Sequence, residues 1–427
     1  MKRPLSRRSC RAALALLLTA LLCIAMNCAA FWIDTDRLRE NAAQGTALLG
    51  EEGGTPQLIG GFKSSQPDNY TAIMILKTAA YTGPETLLQK ALGGYRMDRA
   101  AAEGESAWYA YARYVPGDGG GYPYMRYWHG YTLPLRLLLC VLNLPNLQMV
   151  LLLVSLLLAF FVFSETVRRA PGALPGLIAG WFLLMPVVCG ICLQYVPVTL
   201  LALCACLALL RADGAIERAI GVPAFFALTG LLTNYLDLLT FPLVTLGFPL
   251  ALLLAMRMER GDGLRALLTM TVLCGLGWAL GYAGMWMLKW ALDAAVFGLD
   301  RLAGILSQAA LRVSAESDGA SFTRLGVLVM NLRIVFDKAG YLLILGISLL
   351  AACGCSLRRA LRARQAGRRV RVQPGMLALL LLALAPVCWC LLMANHGYDH
   401  TYFTYRNLTV TFLAATVACG YLTKEKT

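Results

Sequence analysis

Residues 341–393 read YLLILGISLLAACGCSLRRALRARQAGRRVRVQPGMLALLLLALAPVCWCLLM. Two apolar blocks, Ile344–Cys353 and Met376–Met393, flank a segment that holds Arg358, Arg359, Arg362, Arg364, Arg368, Arg369 and Arg371. About 20 apolar residues at 1.5 Å rise per residue cross the hydrocarbon of a bilayer. Backbone groups in lipid must be bonded within the chain, so such runs are helices. An arginine-rich loop between two of them belongs on the cytoplasmic side by the positive-inside rule.

The same pattern recurs outward from this stretch. Of 427 residues, 58% are hydrophobic and 15% charged, where a soluble domain has about a quarter charged. The start is basic, with Lys2, Arg3, Arg7, Arg8 and Arg11, and leads into the apolar stretch Ala12–Ile33. That stretch is longer than a signal-peptide core and predicts an uncleaved first helix. Further helices are expected near 147–164, 173–191, 195–210, 220–235, 239–256, 265–288, 340–357, 375–394 and 407–422, about ten in all. The expected fold is therefore all-α, a polytopic transmembrane helical bundle forming a single membrane domain over residues 1–427. Its segments are a first helix at 12–33, a large extracytoplasmic loop at 34–131, helices over 132–288, a second extracytoplasmic loop at 289–338 and helices over 339–422.

Charge fixes the expected sidedness. With the N-terminus inside, the inner segments carry the basic start, Arg168 and Arg169, Arg211 and Arg218, Arg257, Arg260 and Arg265, the seven arginines, and Lys424 and Lys426. Every short loop agrees, which predicts a multi-pass protein of the plasma membrane with both termini cytoplasmic. The net charge of +14 is thus a topological signal, and no nucleic-acid partner is expected. Binding of anionic lipid head groups by the arginine loop is a secondary reading. The 14 cysteines lie almost entirely in apolar segments, and Cys353-Gly-Cys355 and Cys388-Trp-Cys390 lack the spacing of a zinc site. Neither disulfides nor a metal cluster is inferred.

The second outer loop contains amphipathic stretches, Leu299–Val313 and Leu325–Phe336, expected to lie as interfacial helices. Thr132–Leu142 reads as membrane-dipping, with Pro145 separating it from the next helix.

Polar residues gather on the expected outer side. Arg126-Tyr-Trp-His-Gly-Tyr131 precedes a membrane entry, and His396-Gly-Tyr-Asp-His-Thr-Tyr-Phe-Thr-Tyr-Arg406 joins the last two helices. An interfacial aromatic belt accounts for Tyr122, Tyr124 and Trp128, but not for their company of Arg126, His129 and Arg406. Guanidinium forks and imidazoles suit a phosphate, which makes Arg126, His129, Arg136, His396, His400 and Arg406 candidate phosphate ligands. Arg136 also has the plainer reading of snorkelling to the lipid phosphates. Asp237, in the polar hinge Thr233–Pro242 with Asn234, together with Trp128 and Tyr402, is expected to line a cavity. His396-x-x-x-His400 with a carboxylate leaves room for a divalent metal, without a metal ligand being assigned. In the first loop, Asp34, Asp36 and Asp68 are candidate carboxylate bases. Each also reads as a helix cap, Asp36 before Arg37–Leu49 and Asp68 before Ala72–Ala80. Gly117–Gly121 is a flexible tip and not a nucleotide fingerprint, so neither ATP nor NAD is expected.

A basic inner start, one helix, a long outer loop opening on the acidic pair Asp34-Thr-Asp36, and about ten helices resemble the GT-C superfamily of membrane glycosyltransferases. The resemblance implies a sugar donor carried on a polyprenyl-phosphate lipid and an extracytoplasmic acceptor. It implies that Arg126, His129 and Arg406 hold the carrier phosphate. It also implies that Asp34-Thr-Asp36 stands for the acidic motif, with Asp68 later in the loop than usual, so the base stays open among Asp34, Asp36 and Asp68. The alternative is a multi-pass transporter or flippase, which calls for charges within the membrane, broken helices and internal repeats.

Overall fold

The computed structural model describes residues 7–98, 100–114, 121–317 and 319–425. Lys2, Arg3, Lys426 and most of the Gly117–Gly121 tip lie outside the described residues. The chain is nearly all helix. It opens with α1 (Arg7–Ala30), α2 (Asp36–Glu52), α3 (Asn69–Ala79), α4 (Leu87–Gly93), α5 (Ala107–Ala112) and α6 (Thr132–Leu139). Then come α7 (Leu144–Arg169), α8 (Leu174–Leu183), α9 (Pro186–Ile191), α10 (Val196–Ala219), α11 (Val222–Leu236), α12 (Val244–Glu259) and α13 (Leu264–Phe297). The remainder holds α14 (Asp300–Val313), α15 (Arg324–Phe336), α16 (Ala339–Gln365), α17 (Met376–Leu392), α18 (Ala394–Asp399), α19 (Thr401–Thr404) and α20 (Thr409–Gly420). Two small antiparallel ribbons complete it: β1 (Glu316–Ser317) with β2 (Ala320–Ser321), and β3 (Val370–Val372) with β4 (Thr423–Glu425).

Among the described residues, five helices are long and apolar enough to cross a membrane: α1, α7, α10, α13 and α16. On four of them, α1, α7, α13 and α16, large apolar side chains face outward, among them Leu17 and Leu22, Leu153 and Phe160, Leu276 and Leu280, and Ile347 and Leu350. Contiguous exposed apolar surface of this kind needs a non-aqueous surrounding. The other apolar helices are shorter, and they build the centre. From Leu250 to Ala255, α12 is buried on every side, as a helix apolar all round must be. Where α11 crosses α13, the backbones nearly touch: a Cβ added at Gly281 would lie 1.9 Å from the Ala227 carbonyl oxygen, and one at Gly230 2.0 Å from that of Trp278. Small residues are what permit such an approach between membrane helices.

Three expectations are corrected. The run expected as one helix over 173–191 is two, because Pro186 lacks an N–H and bars its predecessor from the α region; Met185 adopts φ +57°. The helix expected to stop at 288 continues to Phe297 and is ended by Gly298 at φ +103°. That extension takes Lys289 and Asp293, one turn apart, out of the expected second loop and buries them as an ion pair of 2.5 Å. The third is that the apolar sequence of the helices predicts cores almost free of charge apart from Arg136 and Asp237, and this buried pair adds to them. The amphipathic stretches, by contrast, form α14 and α15 at nearly the expected bounds.

The two ends of the bundle differ chemically. At one end the basic residues of the short connections meet acids: Glu165 takes Arg168, Arg169 and Arg211, Asp213 takes Arg257 and Arg260, and Glu259 takes Arg359. The other end carries a cap made of α2 to α6, whose apolar side chains, including Leu38, Ile73, Leu76 and Leu139, form their own core.

Candidate functional site

The cap is tied to the bundle by buried polar side chains that reach backbone carbonyls. Arg136 lies on α6, is 1% exposed, and donates from Nε to Ile33 O at 2.9 Å and from Nη1 to Ala79 O at 2.5 Å and Tyr81 O at 3.3 Å. Arg406 is fully buried and donates to Leu184 O at 3.0 Å, Tyr402 O at 2.8 Å and Ser64 O at 2.8 Å, with the rings of Tyr195 and Tyr405 against its face. Lys289 Nζ reaches Leu92 O at 2.8 Å and Met125 O at 3.1 Å besides Asp293. Trp128 Nε1 donates to Met285 O at 2.9 Å.

His129 belongs to the same seam. Its Nε2 faces Tyr124 O at 2.8 Å and so must carry the proton, which leaves Nδ1 to accept from Tyr131 Oη at 2.7 Å. Burial lowers its pKa to about 4, so the ring is neutral at pH 7. The backbone leaves room for this ring only because Gly94, at φ +55°, has no Cβ; one there would sit 2.2 Å from Nε2. Arg136, His129 and Arg406 are therefore closed off from any ligand, which corrects their expected role on a phosphate.

Asp34 and Asp36 both pair with Arg39 on the surface, and the Asp36 side chain is 88% exposed. Asp68 is different. It caps α3, accepting from Thr71 N at 2.9 Å and Thr71 Oγ1 at 2.8 Å, and it is buried. Tyr402 Oη donates at 3.2 Å to the same oxygen, Oδ2, that accepts from Thr71 Oγ1. Burial pushes the Asp68 carboxyl above the ordinary carboxylate range, against the pull of those hydrogen bonds.

From Tyr402 a line of rings continues: His400 at 6.2 Å between centroids, then His396 at 4.9 Å. His396 Nε2 meets Leu239 O at 2.6 Å, and its buried Nδ1 has no partner among the described residues. Burial keeps both imidazoles neutral, lowering His400 to about 4 and His396 well below its ordinary value, so neither supplies a positive charge at pH 7. Leu239 sits at φ +64°, a costly conformation for a residue with a Cβ, within the turn that Asp237 holds through Thr240 N at 2.9 Å. Asn234, at the end of α11, is buried with its carboxamide oxygen unpartnered among the described residues.

Leu239 forms one wall of a cavity of about 150 Å³. Arg126, Trp286, Trp290, Gln308 and Arg312 supply most of the rest. A wider hollow of about 440 Å³ adjoins it, sharing Arg126 and Gln308 and reaching Asp300. Arg126 is half-buried against the Tyr124 ring and makes no side-chain hydrogen bond or ion pair among the described residues. Arg312 is held loosely, by Asn395 Oδ1 at 3.5 Å and Asp399 at 4.0 Å. The Trp290 indole N–H is buried and unpartnered among the described residues. Two guanidinium groups and an indole donor thus border one pocket whose surface is mostly apolar; they are donors of the kind that take an anion.

No protein-family model matches this chain, and neither a curated protein nor a solved structure does. The site stands on its own geometry. Of the residues expected to form it, the structure brings Arg126 to the cavity and His396, His400, Tyr402 and Asp68 into the line leading from it. Arg312, Gln308, Trp286 and Trp290 were missed. Their signals were present: Trp286 and Trp290 are one turn apart, and Arg312 ends an amphipathic stretch. Among the described residues no group of three or more His, Cys, Asp or Glu is placed to hold a metal ion.

Proposed function

We propose that this protein is a multi-pass membrane glycosyltransferase that moves a sugar from a polyprenyl-phosphate-linked donor to an acceptor outside the cytoplasm. In this reading about ten helices cross the bilayer of the plasma membrane, the arginine-rich end faces the cytoplasm, and the cap faces out. The observation that carries it is the pairing of Arg126 with Arg312 in one cavity beneath the cap, among tryptophans at the end of a membrane-length helix. An apolar groove of about 270 Å³ between α3, α6, α7 and α10, lined by Ile75, Leu138, Leu151 and Leu200, offers a bed for an isoprenoid tail.

The chemistry is a single displacement. Arg126 and Arg312 hold the carrier phosphate as it leaves with the electrons of the sugar C1–O bond. The acceptor oxygen forms the new bond to C1 from the opposite face, which inverts the anomeric centre. Of the candidate acids, Asp68 is assigned the acceptor's proton in this reading; it lies off the cavity, at the other end of the Tyr402–His400–His396 line. Its carboxyl, raised by burial and aimed by Thr71 and Tyr402, is the better suited of the three candidate acids, because Asp34 and Asp36 are exposed and paired.

Transport is the second reading. It draws on the break at Met185 and the buried Lys289–Asp293 pair, both features of helices that move polar cargo.

The test is turnover of lipid-linked sugars by the purified protein in nanodiscs, read as release of free polyprenyl phosphate by mass spectrometry. Wild type is expected to release it. Asp68→Asn is expected to do so about 10²–10⁴-fold more slowly while remaining folded, since Asn caps a helix as well as Asp. Full activity in Asp68→Asn removes the base assignment. Intact donor carried across a proteoliposome without release of polyprenyl phosphate establishes transport instead.

A further inference from the structure

At the end of the bundle away from the cap lies a larger cavity, of about 670 Å³. Its walls are the C-terminal turns of α12 and α16 and the β3–β4 ribbon. The ribbon exists because the chain turns at Gly367, φ +69°, and returns as β3, with Val370 opposite Glu425 and Val372 opposite Thr423. Ser356 on α16 fixes the ribbon, its hydroxyl 3.1 Å from that of Thr423.

Three guanidinium groups line the cavity, against the single carboxylate of Glu259. Arg359 lies over the Tyr421 ring, 4.2 Å from its centroid, and donates to Glu259 at 2.7 Å. Arg260 is aimed by Asp213, at 2.5 and 3.1 Å. Arg362 is exposed and has no hydrogen-bond or ion-pair partner among the described residues. The hollow is therefore net cationic, with Arg260 and Arg359 oriented before any ligand arrives. A water occupies ~30 Å³ of liquid, so the space suits a hydrated head group better than a bare ion. Around it Leu357, Leu361, Val372 and Leu377 are exposed. Apolar side chains beside a polar, cationic hollow match the level at which lipid phosphates meet hydrocarbon.

We propose that this cleft is a binding site for the phosphate of an anionic phospholipid in the adjoining leaflet. Guanidinium forks recognise phosphate oxygens in pairs; Arg362 supplies the free donors, while Arg260 and Arg359, held by Asp213 and Glu259, supply positive charge in fixed orientation. The site is independent of the transferase reading.

The experiment is native mass spectrometry of the full-length protein released from nanodiscs of phosphatidylglycerol or of phosphatidylcholine. Arg260→Ala with Arg362→Ala removes two cleft cations; Asp213 then keeps Arg257, 3.8 Å away. Arg358→Ala with Arg364→Ala removes two charges from the same helix outside the cleft. Retained phosphatidylglycerol is expected to fall about thirtyfold in the cleft pair and about fivefold in Arg362→Ala alone, a substitution that breaks no contact. It is expected to stay near wild type in the control pair, to be absent with phosphatidylcholine, and to resist excess inorganic phosphate. Equal losses in both pairs mean diffuse attraction to the arginine loop and overturn the proposal. Displacement by inorganic phosphate without lipid preference makes the ligand free phosphate and also overturns it, as does retention unchanged in the cleft pair.

Discussion

Arg136 and Arg406 hold backbone carbonyls together where the cap meets the bundle, Arg126 and Arg312 border a cavity, and the two pairs are opposites. The first pair is fully enclosed and donates to carbonyl oxygens of distant segments: Ile33 and Ala79 for one, Leu184, Tyr402 and Ser64 for the other. The second pair lines a cavity, one member with no side-chain hydrogen bond or ion pair among the described residues and the other loosely held. A buried guanidinium without a carboxylate survives only if many carbonyl dipoles surround it, so it joins chain segments and binds nothing else. An open one keeps its donors for a ligand.

The contrast can be broken at its strongest point first. Arg406→Ala and Arg136→Ala each leave several buried carbonyls unpaired, and are expected to cost about 3–5 kcal/mol of stability. The readout is loss of the monodisperse peak in fluorescence-detected size exclusion after heating. Arg406→Lys should fail too, since one ammonium cannot span three carbonyls held by a planar fork. A normal melting temperature in these variants would erase the distinction.

Asp237 sharpens it through pH. Burial raises its carboxyl from 3.8 to about 6. The stability it contributes is thus fully present below pH 3.8 and lost as pH rises through about 6. Asp237→Asn keeps the cap on Thr240 without the charge. At pH 7 it is expected to be more stable than wild type by up to about 3 kcal/mol, a margin that closes on acidification to pH 4. A margin independent of pH would show that the carboxyl is not buried as described.

The smallest expected effect on folding lies in the open pair. Arg126→Ala and Arg312→Ala should leave the stability within about 0.5 kcal/mol of wild type, while weakening a phosphate ligand about tenfold each.

Much of the bundle was legible because apolar runs report themselves residue by residue. Helices expected at 147–164 and 340–357 lie within α7 and α16, and the one expected at 195–210 matches α10 to within one residue at its start. The failures share one cause: they depend on partners far along the chain. Lys289 looked like the start of a loop, because nothing local shows that Asp293, Leu92 and Met125 will neutralise and enclose it. His129, Arg136 and Arg406 looked like ligands for a phosphate, because a carbonyl acceptor leaves no mark in a sequence. Arg126 stood out by its aromatic and basic company, and it borders the cavity. Arg312, more than 180 residues later, gave no hint that it would share Arg126's cavity.

One measurement tests the account most directly: photocrosslinking of the purified protein with a polyprenyl-phosphate probe, wild type beside Arg126→Ala, Arg312→Ala and Arg406→Ala, with melting recorded on the same samples. The account predicts saturable labelling of wild type, labelling lost in Arg126→Ala and Arg312→Ala at unchanged melting temperature, and lowered melting in Arg406→Ala. Equal labelling of wild type, Arg126→Ala and Arg312→Ala would contradict it.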